Sequence, residues 1–333
     1  MGLVWTIAEQ YKGQLKDLSF ELLARGRTLA DTLHTPLVSV LIGEGVSEVS
    51  MEELIKRGAD EVYSIQHPRL KDFQCESYAK ILSQLIETYH PIIILAGASS
   101  LGRTLMPYVA VKVRAGLTAD CTELEIEEGT DNLLQTRPAI GGNIMATIKT
   151  PENRPQMATV RPKSTRPLPV DRSRTGTIVD IPVTGNMLDD RVKVLGFRQD
   201  RANFVNLENA DIVVAGGKGL KKGENFSLIQ GLADALGGVV GASREAVDRG
   251  WIAYPHQIGL SGKTISPKLY LGIGISGAIQ HLAGIKTSEI IVSINPDPDA
   301  NLHKIADFAI VGDAFQIVPE LQRRIEQRRE LKK

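Results

Sequence analysis

The first part of the chain alternates short apolar runs with segments whose apolar residues recur at helical spacing. The apolar runs typical of strands are Leu3–Ala8, Leu37–Ile42, Glu61–Ile65 and Ile92–Leu95, and helical segments lie between them at Phe20–Leu33 and Met51–Arg57. Alternation of this kind predicts a parallel sheet covered by helices.

The clearest helical pattern stands just before the last of these runs. One helical face carries Tyr78, Ile81, Leu82, Leu85, Ile86 and Tyr89. His90 and Pro91 follow and predict the end of that helix. The run Ile92–Leu95 is apolar throughout, as strands buried on both faces are.

Helical spacing disappears between about Leu117 and Val183. The short apolar runs in this stretch are Leu133–Gln135, Ile144–Ile148, Met157–Val160 and Thr177–Ile181. They predict an antiparallel excursion attached to the first domain. The segment from Arg161 to Asp171 is rich in Pro and Arg, which indicates an exposed connection, and we assign no site to it.

A second α/β pattern begins near Asp211. Its strand-like runs are Ile212–Ala215, Leu269–Ile273, Ile290–Ile294 and Phe308–Val311, and Phe226–Leu236 is helical and runs into Gly237. The predicted fold class is therefore α/β with two domains, each a mostly parallel sheet covered by helices. The first is Rossmann-like with the antiparallel excursion. We expect domains at residues 1–195 and 207–333, a hinge at 196–206, and a helix at the C-terminus.

Composition narrows the classes of partner. Hydrophobic residues make up 42% and charged residues 23% of the 333 residues, and 39 basic residues balance 39 acidic ones. A nucleic acid or an anionic membrane normally demands a basic surplus, so neither is expected as the main partner. Cys75 and Cys121 lack metal-ligand spacing and are expected to be reduced thiols. With no basic leader before Leu3–Ala8, a prokaryotic cytoplasmic location is expected.

Four strand-to-loop junctions in the second domain carry the candidate chemistry. They are Ala215–Leu220, Val240–Arg244, Gln257–Thr264 and Gly272–His281. Glycines allow backbone N–H groups to approach an anion, Ser243 can cap a helix or donate to a phosphate, and Arg244 is permanently charged. Each junction alone is equally typical of a tight turn or a helix cap. In an open parallel sheet, however, all of them lie at the carboxyl ends of strands, which predicts one shared crevice.

These junctions strongly resemble the FAD domain of the electron-transfer flavoprotein α subunit. The matching segments are residues 216–220, 223–226, 240–244, 274–284, 294–298 and 306–313. The run from Gly274 to Gly284 is the most specific of them. The first domain resembles the family only loosely, best at Ala96–Ser99.

The resemblance implies one bound FAD and a set of residues around it. That set is Lys218, Ser243, Arg244, Ile258, Gly259, Leu260, Ser261, Ser276, Gly277, Ala278, Ile279, Gln280, His281, Asn295 and Asp313. Asn295 and Asp313 are expected on the adenosine side, and Ser276, at the start of a short helix, near the diphosphate. No metal is expected.

By the same resemblance, Arg244, Ser261 and His281 face the isoalloxazine ring and tune its potential. Added electrons place negative charge on the ring, so a guanidinium from Arg244 and a donor on His281 favour the reduced forms. Two positions depart from the family pattern. Lys218 replaces an arginine, and Leu260 stands where respiratory members carry glutamine.

The implied function is that of an electron-carrier subunit, not a stand-alone enzyme. Its partners would be a β subunit that holds AMP or a second FAD, flavoenzymes of the acyl-CoA dehydrogenase type in fatty acid β-oxidation, and a quinone reductase. A bifurcating complex that uses NADH is the alternative within the family. Two alternatives lie outside the family, namely a nicotinamide-dependent dehydrogenase and a scaffold that senses AMP or ATP. The glycine turns make no clean G-x-G-x-x-G, which disfavours the dehydrogenase, and the first domain lacks a phosphate loop, which disfavours the scaffold.

Overall fold

The computed structural model describes residues 2–139, 144–196, 207 and 210–330. The chain divides into two compact units, residues 1–197 and 198–333. The hinge expected at 196–206 lies outside the described residues, apart from Gly196. In the part of the chain that is described, no helix has the length and apolar character needed to cross a membrane.

Unit 1 is built on a parallel sheet of seven strands. The described strands of the whole unit are β1 (Val4–Ala8), β2 (Gln10–Tyr11), β3 (Gln14–Leu15), β4 (Leu37–Gly43), β5 (Glu61–Gln66), β6 (Ile93–Gly97), β7 (Leu117–Cys121), β8 (Glu123–Ile126), β9 (Leu133–Pro138), β10 (Met145–Ile148), β11 (Gln156–Val160) and β12 (Thr177–Asp180), of which β2 and β3 pair only with each other. Its helices are α1 (Asp17–Thr32), α2 (Glu48–Lys56), α3 (Cys75–Tyr89) and α4 (Ser100–Val113). The main sheet runs β12-β5-β4-β1-β6-β11-β7, and β10-β9-β8 form a separate antiparallel sheet.

Helices cover both faces of the main sheet, as the alternation predicted. Along β1, Val4 and Ala8 pack in one core with residues of α1 and α2. Trp5 and Ile7 point to the other face and pack with residues of α3 and α4. Because successive side chains of a strand face opposite ways, a strand buried on both faces is mostly apolar, and Thr6 is the buried polar residue of β1.

The predicted antiparallel excursion is confirmed for β8–β10 and wrong for its neighbours. The runs at Met157–Val160 and Thr177–Ile181 became β11 and β12, which join the main sheet in parallel beside β6 and β5. Short apolar runs do not reveal their partners when the pairing is distant in sequence. Helix α4 was not predicted; its N-cap Ser99 accepts a hydrogen bond from the Gly102 N–H, and Pro107 lies within it.

Unit 2 is a five-stranded parallel sheet. Its strands are β13 (Ile212–Gly216), β14 (Val239–Ala242), β15 (Leu269–Ile273), β16 (Ile290–Asn295) and β17 (Phe308–Val311). Its described helices are α5 (Phe226–Leu236), α6 (Arg244–Asp248), α7 (Ile279–Leu282) and α8 (Ala314–Glu330). Helix α8 is the predicted C-terminal helix. The order β14-β13-β15-β16-β17 places β13, the first strand, between β14 and β15.

Two features of unit 2 explain where its site lies. Helix α5 ends at Gly237 in the left-handed conformation, with φ of 71°, as the sequence predicted. The chain leaves β13 toward β14 on one side and the next strand, β15, pairs on the other side, so a crevice opens between their carboxyl ends.

A candidate cofactor cleft at the strand ends of unit 2

The structure brings the four predicted junctions together around one cleft of about 480 Å³. The cleft is lined by Lys218, Ser243, Arg244, Glu245, Asp248, Ile258, Gly259, Leu260, Ser261, Gly274, Ile275, Ser276, Gly277, Ala278, Gln280 and His281. Arg244 and His281, which the sequence places far apart, therefore share one cavity.

A contact between two backbone turns adjoins the cleft, which Gly274 lines. The N–H groups of Gly217 and Gly219 donate to the carbonyl oxygens of Ile273 and Gly274, both at 2.9 Å. A Cβ atom on Gly219 would lie 2.6 Å from the Gly274 Cα atom. These glycines therefore permit close packing of the two turns. Their N–H groups are used within the protein, which differs from the expectation that this turn presents them to an anion.

Three consecutive backbone N–H groups, here called the N–H run, lie in the fourth junction. The N–H groups of Ser276, Gly277 and Ala278 find no acceptor among the described residues. Gly277 has φ of 84°, and a Cβ atom there would lie 2.4 Å from the Leu302 nitrogen. Consecutive N–H groups in such a turn are suited to binding an anion. The helix that follows, α7, has only four residues and begins at Ile279, later than expected.

The Ser243 hydroxyl is a second unused polar group. Ser243 precedes α6, but its side chain makes no capping hydrogen bond. Its Oγ atom is buried and has no partner among the described residues. Leaving a buried hydroxyl without a partner costs about 1–3 kcal/mol, so this position fits a polar group of a ligand.

Two cations of the cleft are held by two carboxylates that the sequence analysis did not single out. The Lys218 Nζ atom lies 3.6 Å from the Glu245 Oε1 atom, and the Arg244 Nε atom lies 3.2 Å from the Asp248 Oδ2 atom. Arg249 and then Lys218 hold the pKa of Glu245 below its usual value. The sequence feature that could have indicated the second pair is the spacing of four residues between Arg244 and Asp248, which brings two side chains together on a helix.

His281 is buried, and both of its ring nitrogens have partners. Nδ1 lies 3.1 Å from the Ile258 carbonyl oxygen, and Nε2 lies 2.7 Å from the Tyr270 hydroxyl. A carbonyl oxygen only accepts, so Nδ1 carries the proton and Nε2 accepts from Tyr270. Burial lowers the pKa of His281 to about 4. The ring is therefore neutral with its N–H in use, which differs from the expectation that His281 donates to a bound ring.

The third junction forms the side wall of the cleft. The Ser261 Oγ atom accepts a hydrogen bond from the Gln257 side chain at 3.0 Å. The Leu260 N–H donates to the Gln280 carbonyl oxygen at 2.9 Å, which ties this loop to the fourth junction. The Leu260 side chain itself is 66% exposed, so an apolar group stands at the mouth of the cleft.

Three residues that the resemblance assigned to the cofactor do not line the cleft. Ile279 projects outward and is exposed. Asn295 is buried, donates to the Ile275 carbonyl oxygen at 2.9 Å and accepts from the Asp297 N–H at 3.0 Å, so it holds the turn behind the N–H run. Asp313 accepts from the Phe315 N–H at 3.0 Å at the start of α8.

The fold and the cleft together define a class of protein. An open parallel sheet whose crevice offers backbone N–H groups, a free hydroxyl and cations at the strand ends is the arrangement by which α/β proteins bind phosphorylated cofactors. The residues present fit such a group, because the unused donors point to an anionic ligand.

Comparison with known proteins gives the family. The family model described as "Electron transfer flavoprotein domain" matches residues 4–186, and that described as "Electron transfer flavoprotein FAD-binding domain" matches residues 206–286. The chain belongs to the electron-transfer flavoprotein family, as an α subunit. The family predicted from the junctions is thereby confirmed.

Relatives match along almost the whole chain. The electron transfer flavoprotein subunit alpha of Thermoanaerobacterium thermosaccharolyticum is 49% identical over 318 residues, covering 96% of each chain. That of Megasphaera elsdenii is 43% identical, covering 98% of this chain and 97% of its own. The acryloyl-CoA reductase electron transfer subunit beta of Anaerotignum propionicum is 39% identical, covering 95% and 93%.

Proposed function

We propose that the cleft of unit 2 holds one FAD and that the chain serves as the flavin-bearing α subunit of a heterodimeric electron carrier. The supporting observation is the set of unused donors in the cleft, namely the N–H groups of Ser276–Ala278 and the buried Ser243 hydroxyl. They lie within the segment that matches the FAD-binding domain.

Each wall of the cleft then has a role. The N–H run and Ser243 bind the diphosphate, and the nearby Lys218 ammonium adds a positive charge. Arg244 and Ser261 stand beside the ring, and the neutral His281 orients the wall through its bonds to Ile258 and Tyr270. Bound FAD supplies reversible electron transfer. Asn295 and Asp313 support the adenosine side through the turns that they hold.

The partners are proposed by likeness to the family. A β subunit completes the carrier and holds AMP or a second FAD. One relative is named as the electron transfer subunit of an acryloyl-CoA reductase. This name favours a flavoenzyme that acts on a CoA ester as the redox partner. A quinone reductase is the proposed acceptor in a respiratory system, and NADH is the proposed donor in a bifurcating one. We place the carrier in the cytoplasm.

The first test is co-expression with the β subunit from the same genome. We expect a yellow heterodimer with FAD bound to the α chain. Removal of the Ser243 hydroxyl in Ser243→Ala should weaken FAD binding by roughly 10- to 150-fold, because one hydrogen bond to a charged group is lost. Ser227→Ala, which removes an exposed hydroxyl of α5 bonded to the Glu224 carbonyl oxygen, is the control and should leave binding unchanged. A colourless heterodimer that takes up no added FAD would contradict the proposal.

A further inference from the structure

The cleft contains as many carboxylates as permanent cations among its described lining residues. Lys218 and Arg244 carry positive charge, and Glu245 and Asp248 carry negative charge. His281 adds none near neutral pH, because burial keeps it neutral. An anionic ligand therefore meets cations that already have acidic partners within the same cavity.

The partner of Arg244 determines what the guanidinium can do. Asp248 lies one turn further along α6 and binds the Nε atom at 3.2 Å. Contact through Nε leaves the two terminal nitrogens of the guanidinium for a second anion. Both side chains are well exposed, 70% for Arg244 and 61% for Asp248. A long exposed arginine samples many rotamers, and the bond at Nε favours those that keep its charge at the cleft.

We propose that Asp248 is a positioning residue for the flavin. It holds the Arg244 guanidinium at the cleft and offsets part of its charge, and through both effects it sets the potential of the bound ring. This inference rests on the proposed function. The two effects oppose each other: the bond at Nε brings positive charge to the ring, which raises the potential, whereas the carboxylate charge lowers it.

Substitutions at Asp248 separate the two effects. Asp248→Asn keeps an oxygen that can accept from Arg244 Nε and removes the negative charge, so the potential should become more positive than in the wild type. Asp248→Ala removes the charge and the acceptor, so the guanidinium is released, and the potential should lie below that of Asp248→Asn. Arg244→Ala should lower the potential.

The experiment is a reductive titration of the FAD-loaded heterodimer with a reference dye for each variant. In the Arg244→Ala background, Asp248→Asn and Asp248→Ala should give the same potential, since there is no guanidinium to hold. Asp234→Asn is the matched control. It removes an acidic charge on α5 that is bonded to Gln230 at 2.8 Å, outside the lining of the cleft, and should leave the potential unchanged.

The outcomes distinguish the two proposals. A wild-type heterodimer that does not take up FAD overturns the proposed function together with this inference. If FAD is bound, but Asp248→Asn and Asp248→Ala have equal potentials in the presence of Arg244, Asp248 does not position the guanidinium. Equal potentials for Asp248→Asn, Asp234→Asn and the wild type would also overturn the inference.

Discussion

His281 and Tyr270 show how a buried hydrogen-bond pair fixes a protonation state. The folded-state pKa of His281 is about 4, below the ordinary value of 6.5, because the ring is desolvated. Between these two values the unfolded chain binds more protons than the folded chain. Stability from this group is therefore complete above about pH 6.5 and is lost as the pH falls toward 4.

The corresponding prediction concerns the pH dependence of unfolding. Between pH 7 and pH 4, protonation of His281 should remove roughly 3 kcal/mol from the free energy of unfolding of unit 2. Urea unfolding of the wild type and of His281→Gln over this range measures the difference, since glutamine does not titrate. If the two proteins lose stability in parallel, His281 is not the group responsible.

Glu21 in unit 1 changes stability with pH in the opposite direction to His281. Burial raises its pKa to about 7, although its carboxylate accepts the Lys163 N–H at 2.6 Å. The folded chain therefore binds the extra proton between pH 4.5 and 7, and stability falls as the pH rises through this range.

Glu21→Gln should accordingly stabilise unit 1 at pH 8 by roughly 3 kcal/mol relative to the wild type and change little at pH 4. The glutamine oxygen can still accept from Lys163, so the comparison isolates the charge. Glu53→Gln, which removes a partly exposed carboxylate of α2 paired with Arg57 at 2.9 Å, is the control and should shift stability by less than about 1 kcal/mol at either pH. Thermal unfolding at the two pH values checks this, and a destabilised Glu21→Gln protein at pH 8 would contradict it.

At the residue scale, the sequence predicted most of the cleft but not its internal partners. Arg244 and His281 were placed in one crevice because their junctions follow the parallel strands β14 and β15, and both line it. Ser261 lines it too, but the expectation that its loop follows a strand is wrong, since the turn Tyr254–His256 precedes that loop. Glu245 and Asp248 were missed because acidic residues on a short helix resemble an ordinary solvated surface. The partners of His281, Tyr270 and Ile258, come from other elements, and no local pattern pairs them.

At the scale of elements, the turns after β13 and β15 pack backbone against backbone. Gly219→Ala would place a Cβ atom 2.6 Å from the Gly274 Cα atom, and backbone cannot move aside as a side chain can. We expect this substitution to destabilise unit 2 by about 1–3 kcal/mol and to weaken FAD binding.

Gly231→Ala provides the comparison within the same unit. Its Cβ atom would meet only the end of the Gln322 side chain, at 3.0 Å, and alanine favours a helix by up to about 1 kcal/mol over glycine. Denaturant unfolding of both variants measures the contrast. Equal stabilities would mean that the two turns are not closely packed in solution.

Helices and strands were predicted correctly where the hydrophobic pattern of neighbouring residues defines them. The strands of unit 2 and the stop of α5 at Gly237 follow from apolar runs and a left-handed glycine. The placement of β11 and β12 did not follow, because their partners β6 and β5 lie far away along the chain. Helix α4 escaped prediction because small and apolar residues surround Pro107, and its amphipathic pattern is weak.

At the scale of the whole molecule, the division into two units predicts that bound FAD slows hydrogen exchange in only one of them. A ligand present at 100 times its Kd stabilises the state that binds it by about 2.7 kcal/mol. Hydrogen exchange of the heterodimer with and without FAD should therefore slow in β13, β15 and the segments around the cleft, while β1 and β4 keep their rates. Equal slowing in both units would contradict a site confined to unit 2.

The contact between Gly219 and Gly274 also limits how this protein can diversify. Two backbone turns touch there, so a side chain added at either glycine would push them apart beside the cavity. A different electron affinity of the proposed flavin is more easily obtained at exposed lining positions such as Lys218, Leu260 and Asp248, where a new side chain disturbs little packing. The closely packed turns and the variable border would thus allow one scaffold to serve donors and acceptors of quite different energies.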